Sequence, residues 1–399
     1  MKRKNLLLLF ISMFVVGCEK VEQPSLINHI VPGDFIEDEF VFPMNTITQL
    51  KMYYQSQYDE VYSSFDNIVI SLSREVDRYH DYEGINNLKT INDSCGSDQY
   101  IKVSNELFEL IQLSIDITKL SEGKFNLAMG NIIDLYASKI SDEYVGREDT
   151  LFDDEIINEY LANIPSYEEI DEVIQLNKED NSIKLNKYND NNVVISLGAI
   201  AKGFVMQKAY DFLKVYDYPA LFDAGSSTMA TINNKSEDGW NIGFGSANLE
   251  MDGGTLTTVN VKGDHFISTS GDYQQYFKYK DENGNYRLMH HIIDPNTGIS
   301  NNYLRAVTLL SNNTSLAILD ALSTVLFNCY DDEEALSMIS LFEQSFNCDI
   351  SFLMTKPVIE SNGKFNYELF NVMVASSFDS LTVSEYNQYV INKNIIDNY

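Results

Sequence analysis

Asp320 and Thr324 stand four residues apart in the apolar run "LDALSTVLF", residues 319–327. At that spacing two side chains share one face of a helix. A carboxylate and a hydroxyl so placed can offer two oxygen ligands to a hard cation such as Mg2+, which is usually held by one or two carboxylates plus substrate phosphates and water. The pair is equally compatible with an aspartate near a helix start and a threonine bonding back to a carbonyl. A second segment, "SLGAIAKGF" at 196–204, sets Gly198, Ala199 and Ala201 ahead of Lys202 and opens a helix near Ile200. Free backbone N–H groups beside a lysine suit an anion, although close packing of small residues gives the same pattern. A third, "ISTSGDYQQYF" at 267–277, gathers hydroxyls and Asp272 around a glycine turn at a strand end, and alone it reads as a tight turn. The fourth, "HHIIDPNTGIS" at 290–300, holds two of the chain's five histidines directly before an Asp-Pro-Asn-Thr-Gly turn.

The elements that must position these groups are legible as a mixed set. "NTITQLKMYY" alternates like a strand, while "YDEVYSSFDNIVISLSREVDRY" and "NELFELIQLSIDITKLSEG" carry apolar residues at helical spacing, the latter ending at Gly123. Residues 200–214 and "TSLAILDALSTVLFNCY" are further helices. Strands are expected at "PALFDAG", "WNIGFG", "TLTTVNV", "DISFLM" and "YELFNVMVA". The acidic stretch 141–190 reads as a charged insertion with a helix, returning through a hairpin with Asn/Asp turns. There is no regular βαβ rhythm and no repeat, which favours an α+β fold over a doubly wound sheet.

With 399 residues, 44% hydrophobic and 12% aromatic, the chain has material for a substantial core. The net charge of −31 argues against nucleic acid as a partner, because such surfaces are normally basic. An acidic protein that takes an anionic ligand needs a metal ion or local backbone donors to do so. Cys95, Cys329 and Cys348 form no CxxC pair and no zinc-ligand spacing, so free thiols are expected.

The N-terminus reads as an address. Lys2, Arg3 and Lys4 precede an apolar run from Leu6 to Val16, too short for a comfortable membrane span. The run ends in Val15-Val16-Gly17-Cys18, which resembles a bacterial lipobox. The expectation is a signal peptide over 1–17 and a lipidated Cys18, anchoring the protein to the extracytoplasmic face of the cell membrane. A polar tether over 18–39 follows, with His29 idle within it. A single domain over 40–355 comes next, then a C-terminal extension over 356–399 whose strands pack on the same domain.

Taken in order, the motifs resemble those of the FAD:protein FMN transferase family, the ApbE-like flavin transferases, from about Met44 to about Asp349. "FPMNTI" looks like that family's opening Met-Gly-Thr strand, "DRYHDYEGINNLKTIND" its tyrosine segment, and "SEGKFNLAMGNIIDLY" its Gly-x-Phe-Asp/Asn segment. "SLGAIAKGF", "FDAGSS", "STSGDYQQYF", "HIIDPNTG" and "DALST" complete the set, and these five are the specific ones. The resemblance implies a single ApbE-like α+β domain of mixed, largely antiparallel sheet with packed helices and a flavin-nucleotide cleft. It also implies a reaction: Mg2+-dependent cleavage of the FAD pyrophosphate, with FMN transferred to a Ser or Thr hydroxyl of an acceptor protein and AMP released. An extracytoplasmic redox protein would be the natural acceptor.

By matching position, the metal ligands would be the Asp320 and Thr324 side chains and the Ala199 carbonyl. FAD contacts would come from Met44, Tyr79, Lys124, Phe125, Asn126, Ser196, Lys202 and Ile292, with Asp272 lining the cleft. His291 would be the base, since an imidazole titrating near neutrality can take the proton of the attacking hydroxyl. His290, its neighbour on a strand, is expected to point the other way. The chain departs from the pattern at Ser196 (usually Asp), Ala199 (usually Gly), Asp223-Ala224-Gly225-Ser226 (usually Asn-Ala-Gly-Gly) and Asn296, where a basic residue is common. Two other readings use the same residues: an FAD pyrophosphatase, with water in place of the acceptor, and a flavin-binding lipoprotein without chemistry. The second of these leaves Asp320, Thr324 and His291 unexplained.

Overall fold

Thr48–Tyr53 alternates buried and half-buried side chains, the period-2 signature of a strand with one face on a core. It lies in a nine-stranded sheet with the order Leu26–Ile30, Thr48–Tyr53, Ala220–Ala224, Thr228–Ile232, His265–Gly271, Ala306–Ser311, Ser351–Ile359, Phe365–Ala375 and Val390–Ile396. The structure is a computed structural model describing residues 26–36, 39–53, 58–140, 145–216, 218–232, 239–247 and 254–397. Spatial order follows chain order. Every neighbouring pair is antiparallel except the last, which is parallel. The central strands Ala220–Ala224 and Ala306–Ser311 are buried along their whole length, so their apolar character shows no alternation.

Helices Tyr58–Val76, Ala201–Lys214 and Leu316–Phe327 pack in series, and the last lies on His265–Gly271 and Ala306–Ser311. Leu316–Phe327 is apolar nearly all round, as a helix between a sheet and other helices must be. Every residue of it is buried except Thr324. A smaller core of Met129, Ile132, Tyr136, Phe277, Met289 and Ile293 joins helix Gly130–Ala137 to the hairpin Tyr276–Lys280/Tyr286–His290. The α+β class and largely antiparallel sheet are as the sequence indicated.

Several details differ from expectation. Leu26–Ile30 is not tether: it pairs with Thr48–Tyr53, and Asp34–Ile36 pairs with Glu39–Val41. The average polarity of 18–39 conceals a short Leu/Ile run that suits an edge strand. His29 is not idle either, since its Nε2 lies 2.7 Å from Asp66 Oδ1 and its ring packs on Tyr62. The boundary at 355/356 falls inside the strand Ser351–Ile359. The acidic segment is built into the domain, because Ile174–Asn177 and Ser182–Leu185 pair as a hairpin and add Ile101–Lys102 as a third strand. Cys95, Cys329 and Cys348 are free. The signal segment and Cys18 lie outside the described residues.

Candidate active site

The segment around Lys202 and the helix of Asp320 meet where a glycine lets them. Gly203, in the first turn of Ala201–Lys214, sits so close to Leu316 that a Cβ there would lie 2.4 Å from the Leu316 carbonyl oxygen. Gln207 Oε1 accepts the Leu316 N–H at 3.0 Å, stitching the second helix's start to the first helix. Contact at this range brings the Gly203 N–H within 2.9 Å of Asp320 Oδ2. Asp320 Oδ1 accepts from Ser268 Oγ at 3.2 Å and from Thr228 Oγ1 at 3.5 Å. Asp320 is 5% exposed, and burial raises its carboxyl above the ordinary range against the pull of the Lys202 charge.

These groups open on one cavity of about 750 Å3, within the roughly 300–1,000 Å3 typical of ligand sites. Met44, Tyr79, Lys124, Phe125, Asn126, Ser196, Ala199, Lys202, His291, Ile292, Asp320 and Thr324 all line it. Twelve positions spread over 281 residues of chain therefore converge on one space. The thirteenth does not: Asp272 is buried behind the wall, 2.6 Å from Arg305 Nε, with its N–H bonded to the Arg305 carbonyl. The strand His265–Gly271 ends here and a bend follows, so Thr269, Ser270 and Gly271 line the cavity while the Asp272 side chain is buried against Arg305.

Asn126 and Lys124, like Asp320, already hold partners within the protein. The Asn126 amide bridges the Pro165 carbonyl and the Ala128 N–H, both at 2.9 Å. Lys124 Nζ pairs with Glu334 Oε1 at 2.6 Å and lies 5.1 Å from the centre of the Tyr330 ring. "FPMNTI" is not the strand that the sequence suggested: Pro43–Asn45 forms a short 3-10 turn between Glu39–Val41 and Thr48–Tyr53, and there Met44 and Asn45 both adopt left-handed backbone, with φ of 55° and 53°. That conformation is rare outside glycine, best tolerated by asparagine, and found where strain serves a site.

The two histidines part company. His290 is fully buried, its Nε2 3.0 Å from the Asn301 carbonyl and its Nδ1 accepting the Ile292 N–H at 3.3 Å. Burial lowers its pKa to about 3. His291 is exposed and faces the cavity. Below it, Asp294 organises the turn: its carbonyl accepts the Gly298 N–H at 2.9 Å, and Oδ1 accepts the Asn296 N–H at 2.9 Å.

Sequence reasoning missed Ser268 and Thr228, which hold the Asp320 carboxylate, and Arg78, which adjoins Tyr79. The first two lie on sheet strands, where a lone hydroxyl carries no local signal. Among the described residues no group of three or more His, Cys, Asp or Glu side chains is arranged to hold a metal ion by itself. The chemistry of the donor set nevertheless fits a hard cation. It combines one desolvated carboxylate, one hydroxyl and one carbonyl beside a cavity large enough for a phosphate-bearing ligand to complete the shell.

A family model described as the ApbE family matches residues 44–348. The FAD:protein FMN transferase of Klebsiella pneumoniae (strain 342) is 27% identical over 261 residues, 64% of this chain and 74% of that protein. The FAD:protein FMN transferase of Rhodobacter capsulatus is 25% identical over 248 residues, 62% of this chain and 42% of that protein. Among solved structures, the ApbE protein of Thermotoga maritima MSB8 matches with a TM-score of 0.66 at 19% identity, covering 90% of this chain and 100% of that one. The flavin transferase ApbE of Vibrio cholerae matches at 0.64 and 20%, covering 90% and 100%. At such identities the structural likeness is one of fold.

Proposed function

We propose, on the premise that the chain belongs to the ApbE family, that it is an FAD:protein FMN transferase. One observation carries the reading: the sole unburied residue of a buried helix, Thr324, opens with Asp320 onto the cavity that also receives Lys202, His291 and Tyr79.

In this reading FAD lies in the cavity with its pyrophosphate near Lys202 and the N-terminus of Ala201–Lys214, where a positive charge and the helix dipole favour phosphate oxygens. Mg2+, held by Asp320, Thr324 and the Ala199 carbonyl, would neutralise charge on the phosphoryl group. Gly203, Ser268 and Thr228 fix the Asp320 carboxylate in advance, so its orientation is not lost to thermal motion. His291 takes the proton from an acceptor Ser or Thr hydroxyl. That oxygen bonds to the FMN phosphorus, the anhydride bond to AMP breaks, and AMP leaves. His290, buried and neutral, fixes the strand end from which His291 projects.

The same proposal places the protein on the extracytoplasmic face of the membrane, anchored through Cys18. The basic start, the short apolar run and Val15-Val16-Gly17-Cys18 support this. An extracytoplasmic redox protein is the acceptor class consistent with that location.

Incubating the purified protein with FAD and Mg2+, with and without a domain bearing a candidate Thr, tests the reaction. An acceptor that gains the mass of FMN less water, with stoichiometric AMP and only when metal is present, is the expected result. AMP release that is indifferent to acceptor would make the protein a pyrophosphatase, and FAD binding without AMP would make it a flavin carrier.

A further inference from the structure

Tyr79 leaves 55% of its surface open at the cavity mouth, yet its backbone and its ring are both tied down. The Tyr79 N–H donates to Asp77 Oδ1 at 2.7 Å, while Asp77 Oδ2 lies 2.8 Å from both His80 Nδ1 and the Tyr82 hydroxyl. The ring is held by Arg78. Its guanidinium carbon lies 4.6 Å from the ring centre, and one of its terminal nitrogens donates to the phenol oxygen at 2.6 Å. Arg78 is gripped in turn by Asp134 on helix Gly130–Ala137, through contacts of 2.5 and 3.1 Å.

This arrangement inverts the usual one. An arginine ordinarily keeps its charged head in water and lets a ring bury itself. Here the Arg78 side chain is 7% exposed and the aromatic ring is the open group. Fixing an exposed tyrosine costs rotamer freedom and gives the fold no apolar burial in return. It does lower the ordering cost of a ligand that stacks on the ring. One face of the ring meets the guanidinium, which leaves the other for such a ligand.

We propose that Arg78, anchored by Asp134, is a positioning residue that holds the Tyr79 ring as a stacking platform for a flat heteroaromatic ring of the dinucleotide. The proposal rests on FAD being the substrate, and FAD brings two rings of this chemistry, isoalloxazine and adenine.

The test titrates the full chain separately with FMN, followed by flavin fluorescence and absorption, and with AMP, followed by calorimetry. Wild type is compared with Arg78→Ala, Arg78→Lys and Asp134→Asn. Arg78→Ala is expected to weaken one ligand about tenfold and leave the other unchanged, a size set by the loss of a cation–π and hydrogen-bond clamp. If the affected ligand is FMN, the quenching of flavin fluorescence on binding falls with it, and the platform carries isoalloxazine. If it is AMP, the platform carries adenine. Arg78→Lys, which keeps charge but not the two-point grip, falls between wild type and Arg78→Ala. Should Arg78→Ala melt early, Tyr79→Phe, which removes only the hydroxyl that Arg78 holds, carries the same selectivity at smaller size. Wild-type binding of both ligands that is unchanged in the variants, or reduced equally for both, overturns the clamp alone. A wild-type protein that binds neither ligand overturns the functional reading and the platform together.

Discussion

The carboxylate of Asp320 accepts the backbone N–H of Gly203 at 2.9 Å, joining two segments 117 residues apart. The bond exists only because Gly203 has no side chain. A Cβ would meet three backbone atoms of Leu316 and Ala317 between 2.4 and 2.8 Å, none of which can swing aside. Gly203→Ala should therefore lower stability by roughly 1–3 kcal/mol, the usual cost of overpacking, although alanine is the better helix former. Thermal melting reads this directly, and a variant that melts with wild type would mean that the two helices have room to separate.

The same carboxylate sets a trade between stability and chemistry. Its folded pKa is raised above the unfolded value by burial, so its favourable contribution is present at acid pH and is lost as pH rises through the folded value. Burial therefore opposes ionisation of this group in the metal-free protein. Asp320→Asn keeps an oxygen for the Gly203 N–H and removes the charge. It is expected to melt at or above the wild-type temperature, to lose the upward shift that Mg2+ gives with FAD, and to transfer FMN about 10^2- to 10^3-fold more slowly. A variant that still gains stability from Mg2+ would place the cation elsewhere.

How much of this was legible depends on whether the signal is local. The segments around Lys202, His291 and Asp320 each carry their pattern within nine or so residues, and all three reach the cavity. What aligns them is not local: the Gly203–Asp320 bond, and the Ser268 and Thr228 hydroxyls, depend on strand and helix neighbours far apart in sequence. Other misses had signals that went unread. The hairpin Tyr276–Lys280/Tyr286–His290 surrounds an Asn283-Gly284 turn, and helix Asp332–Phe346 begins with an aspartate cap and three acidic residues. Leu26–Ile30 was hidden by its polar surroundings. The motif around Asp272 points to the cleft, but a residue just past a strand end can face either side, and the buried Arg305 decides which.

Asp272 is buried with Arg305, whose other nitrogens reach the carbonyls of Tyr367 and Ala247 at 2.9 and 2.5 Å. Asp272→Asn would leave a buried guanidinium without its counter-charge, a change that typically costs about 3–5 kcal/mol. The expected outcome is a large fall in melting temperature with FAD affinity, measured well below that temperature, close to wild type. A selective loss of FAD binding in a stable variant would return Asp272 to the cleft.

Neighbouring histidines should give opposite phenotypes. His291 faces the cavity, so His291→Ala is expected to slow transfer about 10^2- to 10^4-fold while leaving the melting temperature and FAD affinity near wild type. His290 is buried with a pKa lowered to about 3. A group whose folded pKa is depressed contributes stability above its unfolded value, near 6.5, and loses it progressively as pH falls toward 3. Each unit of the shift corresponds to about 1.4 kcal/mol, so acid should destabilise wild type steeply between pH 6.5 and 4. His290→Gln cannot take up that proton. Its melting temperature should lie below wild type at pH 7.5, because two ring contacts are lost, and should change less on going to pH 5. Parallel acid limbs in the two proteins would mean that His290 becomes protonated without unfolding the strand end, and that some other group drives the acid transition.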